Sequence, residues 1–131
     1  MQIIINDHRK LFAIQKEFSK LFPYLRLEFF AKPGREHAHA SKKIMKHPSK
    51  TIGECRTLHN KGFITISPNM TVAGLEENFA SVYGIEARVM QKSGSMFLET
   101  ASTNNWTLGK QNEQGELLAK ENRTAEKEMA E

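Results

Sequence analysis

Three histidines, His37, His39 and His47, fall within the twenty residues "AKPGREHAHASKKIMKHPSK" from Ala31 to Lys50, among six Lys or Arg and a single Glu. Two chemistries can be drawn from that composition: metal ligation by the imidazoles, or neutralisation of a polyanion by the cations. Zinc requires four ligands, or three and a water, each oriented by a further hydrogen bond. His37 and His39 would place both rings on one side of an extended chain, and His59 is nearby in sequence. However, a stretch flanked by Pro33, Gly34 and Pro48 offers no element to fix them, and its own cations repel a further cation. No metal site is expected. The cations are the more informative half, because phosphate or carboxylate groups can be neutralised by charge without a rigid frame. Residues 32–61 hold eight basic side chains against Glu36 and Glu54, a net +6 within a chain whose total is +4. The candidate basic binding segment is Lys32, Arg35, Lys42, Lys43, Lys46, Lys50 and Arg56. From Asn112 onward six Glu face Lys120, Arg123 and Lys127, a net −3.

Catalysis leaves no comparable signal. The chain has no Gly-x-Ser-x-Gly, no phosphate loop ending in Gly-Lys-Ser/Thr and no His-Glu-x-x-His. Cys55 and His59 are four apart, which along a helix is ordinary surface adjacency. The expectation is a protein that is not an enzyme and carries no cofactor. Cys55 is the single cysteine, which excludes an internal disulfide and fits a reducing, cytoplasmic compartment. The longest apolar run, Leu11 to Ile14, is far short of the roughly 20 residues that cross a bilayer, so no membrane association is expected.

The elements that would position any site are set by an internal repeat. Laying "IIINDHRKLFAIQKEFSKLFPY" from Ile3 over "ITISPNMTVAGLEENFASVYGI" from Ile64 aligns them without gaps at an offset of 61. Apolar residues coincide at Ile3/Ile64, Ile5/Ile66, Leu11/Val72, Ile14/Leu75, Phe18/Phe79, Leu21/Val82 and Phe22/Tyr83. Each unit therefore opens with a strand of period two and continues with the apolar stripe of an amphipathic helix. Asn6 or Asp7 is placed to cap the first helix and Thr71 the second; Pro23 and Gly84 stop them at equivalent points. A strand follows each helix, "YLRLEFF" and "IEARVMQ". Two tandem strand–helix–strand units predict an α+β fold, specifically a ferredoxin-like two-layer sandwich with the helices on one sheet face.

Two additions are expected. A hairpin turning near Ser93-Gly94 supplies an extra edge strand over residues 96–100, and a C-terminal helix over "NNWTLGKQNEQGELLAKEN" docks through Trp106 despite glycines at 109 and 115. Residues 1–122 form one domain, 31–61 are a long basic inter-repeat connection with a short helix opened by a Thr51/Glu54 capping box, and 123–131 are a frayed acidic tail. Taken together, "LEFFAKP", "KTIGECR", "ISPNMTVAGLE", "KSGSMFLET" and "WTLGKQNEQGE" resemble a family of small uncharacterised bacterial proteins over most of the chain. No activity is assigned to that family, so the resemblance implies a compact cytoplasmic bacterial protein and transfers no catalytic or binding residue.

With Ile3, Ile5, Ile64 and Ile66 turned to the helices, the opposite face of a four-stranded sheet would carry Gln2, Ile4, Phe63 and Thr65, flanked by Tyr24, Arg26, Glu28, Phe30, Arg88 and Met90. The candidate sheet-face site is Phe63, Tyr24, Arg26, Phe30 and Arg88. Such a face predicts a protein-interaction module, docking a protein partner or forming a homo-dimer, because exposed apolar sheet patches mark interfaces. The alternative is nucleic-acid binding through the basic segment and the sheet aromatics, which could stack unpaired bases.

Overall fold

A computed structural model describes residues 1–30, 49–56 and 58–129, with side chains through residue 124. The element order is β1 (Gln2–Ile5), α1 (Leu11–Leu21), β2 (Leu25–Phe30), a 3-10 turn at Gly53–Cys55, β3 (Gly62–Thr65), α2 (Val72–Tyr83), β4 (Glu86–Ser93), β5 (Met96–Glu99), a second 3-10 turn at Ala101–Thr103, and α3 (Leu108–Met129). The chain is mixed α+β, with three α-helices and two antiparallel sheets among the described residues.

The repeat accounts for the helices. Leu11 and Val72 are the first residues of α1 and α2, at the offset of 61, and both are fully buried. Six of the seven matched apolar pairs are buried in both halves and share one core; Leu21/Val82 is the exception, with Val82 exposed at the end of the stripe. Thr71 caps α2 by accepting the Gly74 N–H at 3.0 Å, as expected. Asn6 and Asp7 do not cap α1, because the helix begins four residues after Asp7, behind Lys10, which makes no side-chain cap. An incoming strand of chain supplies the partner instead: the Leu11 N–H donates to the Lys50 carbonyl at 2.9 Å. The Val72 N–H donates in the same way to the Trp106 carbonyl at 3.0 Å. Gly84 ends α2 in the left-handed conformation with φ of 66°, which any side chain would strain.

The sheets depart from the ferredoxin-like arrangement. That fold would place β2 beside β3 and β4 beside β1 in one sheet; here, among the described residues, β1 pairs with β3, while β2, β4 and β5 form a separate sheet in that order. Each strand of the first unit is hydrogen-bonded to its own mate in the second. Ile3 lies directly opposite Ile64, its repeat equivalent, and β2 runs against β4 from Leu25↔Gln91 to Phe30↔Glu86. This is the pairing that a two-fold axis between two similar halves produces. β2 and β4 join six residue pairs, against four between β1 and β3. The added hairpin is as expected, with β5 on the edge beside β4.

α1 packs on β2, α2 on β4, and α3 on β4 and β2. The C-terminal helix is anchored by Leu108, which is fully buried, and by backbone bonds from Leu108 to Met70 and from Gly109 to Pro68; Trp106 is only half-buried. The helix continues to Met129, past Asn122 where fraying was expected. Its glycine at 115 is a contact point. A Cβ there would lie 2.8 Å from the Tyr24 Cβ and 3.2 Å from the Tyr24 carbonyl oxygen. Helix propensity alone makes Gly115→Ala stabilising by about 1 kcal/mol, whereas overpacking of this kind costs roughly 1–3 kcal/mol. We expect a net loss of stability, read as a lower urea midpoint; a raised midpoint would show that α3 is not seated on Tyr24.

Candidate interaction surfaces

The sequence-predicted residues separate into four environments. Lys32, Arg35, Lys42, Lys43 and Lys46, with His37, His39 and His47, lie outside the described residues. Lys50 is exposed at the N-terminal end of α1. Arg56 is not available to a partner. Its side chain is fully buried, donating from Nε and Nη2 to Asp7 Oδ1 at 3.1 and 2.9 Å and from Nη1 to the Tyr83 carbonyl at 3.3 Å. The same carboxylate has His59 Nδ1 within 2.9 Å of both oxygens. His59 and Arg56 together hold Asp7 below the usual carboxylate pKa, the His59 hydrogen bond contributing most. The group ties the β1–α1 loop to the chain entering β3 and to the end of α2. The Thr51/Glu54 capping box also forms: the Thr51 N–H donates to Glu54 at 2.7 Å and Thr51 Oγ1 accepts the Glu54 N–H at 3.3 Å.

The proposed single sheet face is divided because its strands belong to different sheets. Phe30 is buried, Tyr24 is half-covered by α3 with its N–H on Asn112 Oδ1 at 2.9 Å, and Arg88 is bound to Glu86 at 2.8 Å and Glu76 at 3.2 Å. Arg26 is paired with Glu28, a buried carboxylate that also accepts from Gln15 Nε2. Burial raises the Glu28 pKa, and Arg26 opposes that shift. The β2–β4 surface is therefore a ladder of internally matched charges.

Phe63 alone among the five is presented freely, on the β1–β3 ribbon. It lies directly opposite Ile4, and each is 56% exposed, with Gln2 and Thr65 exposed beside them. Met1 and Ile66 exchange backbone hydrogen bonds, so Ile4 and Phe63 occupy a non-hydrogen-bonded position, where opposed side chains approach closest. Their carbonyls then point to the ribbon's edges, and both are occupied: Arg9 Nη1 donates to Ile4 at 3.3 Å and the Tyr83 hydroxyl to Phe63 at 3.1 Å. One carbonyl on each edge of the ribbon is thus blocked, while Ile4 and Phe63 form an uncharged apolar patch on its outer face.

Comparison with models of known protein families, with curated proteins and with solved structures finds no match to the chain. Its function has to be read from its own surfaces. No group of three or more His, Cys, Asp or Glu among the described residues is placed to hold a metal ion, and no described helix is long and apolar enough to cross a membrane.

A second surface is assembled from residues far apart in the sequence. Phe12 on α1 is 49% exposed and Phe97 on β5 is 39% exposed, and both line a groove of about 470 Å³ with Lys16, Ser19, Arg26 and Lys92. The available signal was that Phe12 lies off the α1 stripe, an aromatic on the polar side of an amphipathic helix. β5 carries Met96, Phe97 and Leu98 in succession, and all three are exposed, so neither of its faces is packed.

Proposed function

We propose that the chain is a non-enzymatic interaction module that self-associates through the outer face of the β1–β3 ribbon, with Phe63 and Ile4 at its centre. The observation that carries this reading is the directly opposed, exposed Ile4–Phe63 pair on strands that contain no charged residue. A second copy is the occupant such a patch favours. An isologous contact sets a surface against itself, so any charge on the two-fold would meet a like charge, and an uncharged apolar patch avoids that cost. Contact by the face rather than by strand addition follows from the occupied edge carbonyls.

A non-catalytic role is supported by the condition of the best candidate pair for chemistry. Asp7 is shared between the buried Arg56 and His59, in a cluster that ties the β1–α1 loop to the chain entering β3, so its carboxylate is committed to holding the fold together. The single Cys55 supports a cytoplasmic setting.

The test is sedimentation velocity on the unmodified chain and two variants. Phe63→Glu places a carboxylate at the centre of the contact and should give a monomer, while Phe97→Glu, on β5, should leave the dimer intact. Loss of the dimer in Phe97→Glu but not in Phe63→Glu would move the interface to the β5 edge and overturn this assignment.

A further inference from the structure

The groove between α1 and the β2–β4–β5 sheet combines features that the ribbon lacks. Phe12, Lys16 and Ser19 lie on one side of α1 at spacings of four and three, and they form one wall. Arg26 of β2, Lys92 of β4 and Phe97 of β5 form the other. The described residues that line it include three cations and no acid, with Arg26 paired to the buried Glu28 beneath it and Lys16 and Lys92 left for a ligand. Each aromatic ring is accompanied by a cation: Arg26 sits 5.4 Å from the centre of the Phe97 ring, and Lys10 Nζ 5.9 Å from that of Phe12. Lys50 is brought to the same end of α1 by the pairing of Lys10 with Thr51.

We propose that this groove binds single-stranded nucleic acid. Unpaired bases present flat faces that stack on Phe and on Arg guanidinium planes, while the backbone requires cations spaced along its path; the two walls supply both. Charge complementarity favours a polyanion, and the paired aromatics favour one that carries rings. A duplex is a poor occupant, because its bases are already stacked and a groove of about 470 Å³ is of the size that holds a nucleotide or two rather than a helix. Arg26 acts on both counts. Its bond to Glu28 holds the guanidinium in place, and its position over Phe97 extends the stacking surface. The site shares no residue with the ribbon contact, so a dimer would present two such grooves.

The experiment is fluorescence anisotropy with a labelled oligouridylate of roughly ten nucleotides, a length within the usual site size for such surfaces. Affinity should fall with salt with a logarithmic slope of about −1.4, the value for two phosphates neutralised on a single strand by Lys16 and Lys92, since Arg26 is already paired with Glu28. Phe12→Ala and Phe97→Ala should each weaken binding about tenfold. Lys16→Glu combined with Lys92→Glu should abolish it, and Leu117→Ala, at an exposed position of α3, should leave it unchanged. All substituted side chains are at the surface, and circular dichroism is run on each variant to check that it is folded. Absence of binding at low salt overturns the proposal. So does binding insensitive to both phenylalanines, equal displacement by poly-glutamate, which would mark an acidic-peptide site, or a preference for duplex.

Discussion

Replacing Phe79 by alanine is expected to remove about 3–5 kcal/mol of stability, the usual cost of deleting a buried aromatic ring. Phe79 is fully buried in α2 and meets Phe29 of β2 edge-on, with ring centres 5.4 Å apart at 79°. The contact joins the helix of the second unit to a strand of the first, so its loss loosens both halves together. Small domains carry only about 5–15 kcal/mol in total, and the variant should be close to unfolding at physiological temperature. Urea unfolding with an unchanged slope and a lowered midpoint would measure it. Phe18 is the repeat equivalent, equally buried and packed on Phe22 at 5.4 Å, so Phe18→Ala should cost a similar amount. A loss below about 1 kcal/mol at either site would mean that the repeat's central rings do not form the core.

Arg56→Ala is the second large effect, expected at roughly 1.5–3 kcal/mol, the range for hydrogen bonds to charged groups. The substitution empties a buried position and frees the Tyr83 carbonyl as well as Asp7. Arg56→Lys should not restore it, because one ammonium cannot bridge the carboxylate and the carbonyl as the guanidinium fork does. The pH dependence has a definite sign. Asp7 has its pKa lowered from 3.8 on folding, so its contribution is present above that value and is lost as pH falls through the lower folded value. The unmodified chain should therefore lose stability with acid below about pH 4 more steeply than the Arg56→Ala variant. Thermal unfolding in a series of acidic buffers reads this directly, and parallel curves for the two proteins would show that Asp7 and Arg56 are not coupled.

What the sequence made legible was local. Hydrophobic period and stop residues located α1, α2 and the strands around them, because burial of one stripe per helix depends on spacing within a dozen residues. Strand pairing does not. Nothing in the spacing of Leu25, Leu27 and Phe29 says whether their neighbour is β3 or β4, and that choice divided the expected sheet face. Arg56 shows the same limit from the side of charge. In sequence it belongs with Lys42, Lys43 and Lys46; in the fold Asp7, forty-nine positions earlier, makes it structural. Gly115 read as a helix defect because its reason, the Tyr24 backbone, is ninety-one residues away. The groove was hidden for a related cause, since α1, β2, β4 and β5 each contribute only one or a few of its residues. Phe63 was legible because alternation along a single strand decides which side chain faces out.

If the Ile4–Phe63 face of the ribbon joins two copies of the chain, as proposed, association must depend on protein concentration. Sedimentation equilibrium of the unmodified protein across a wide concentration range tests it most directly. A reversible monomer–dimer equilibrium that high salt does not weaken is expected, since the strands at the contact carry no charged residue. A chain that sediments as a monomer at every concentration, or a dimer that dissociates as salt is raised, would contradict it.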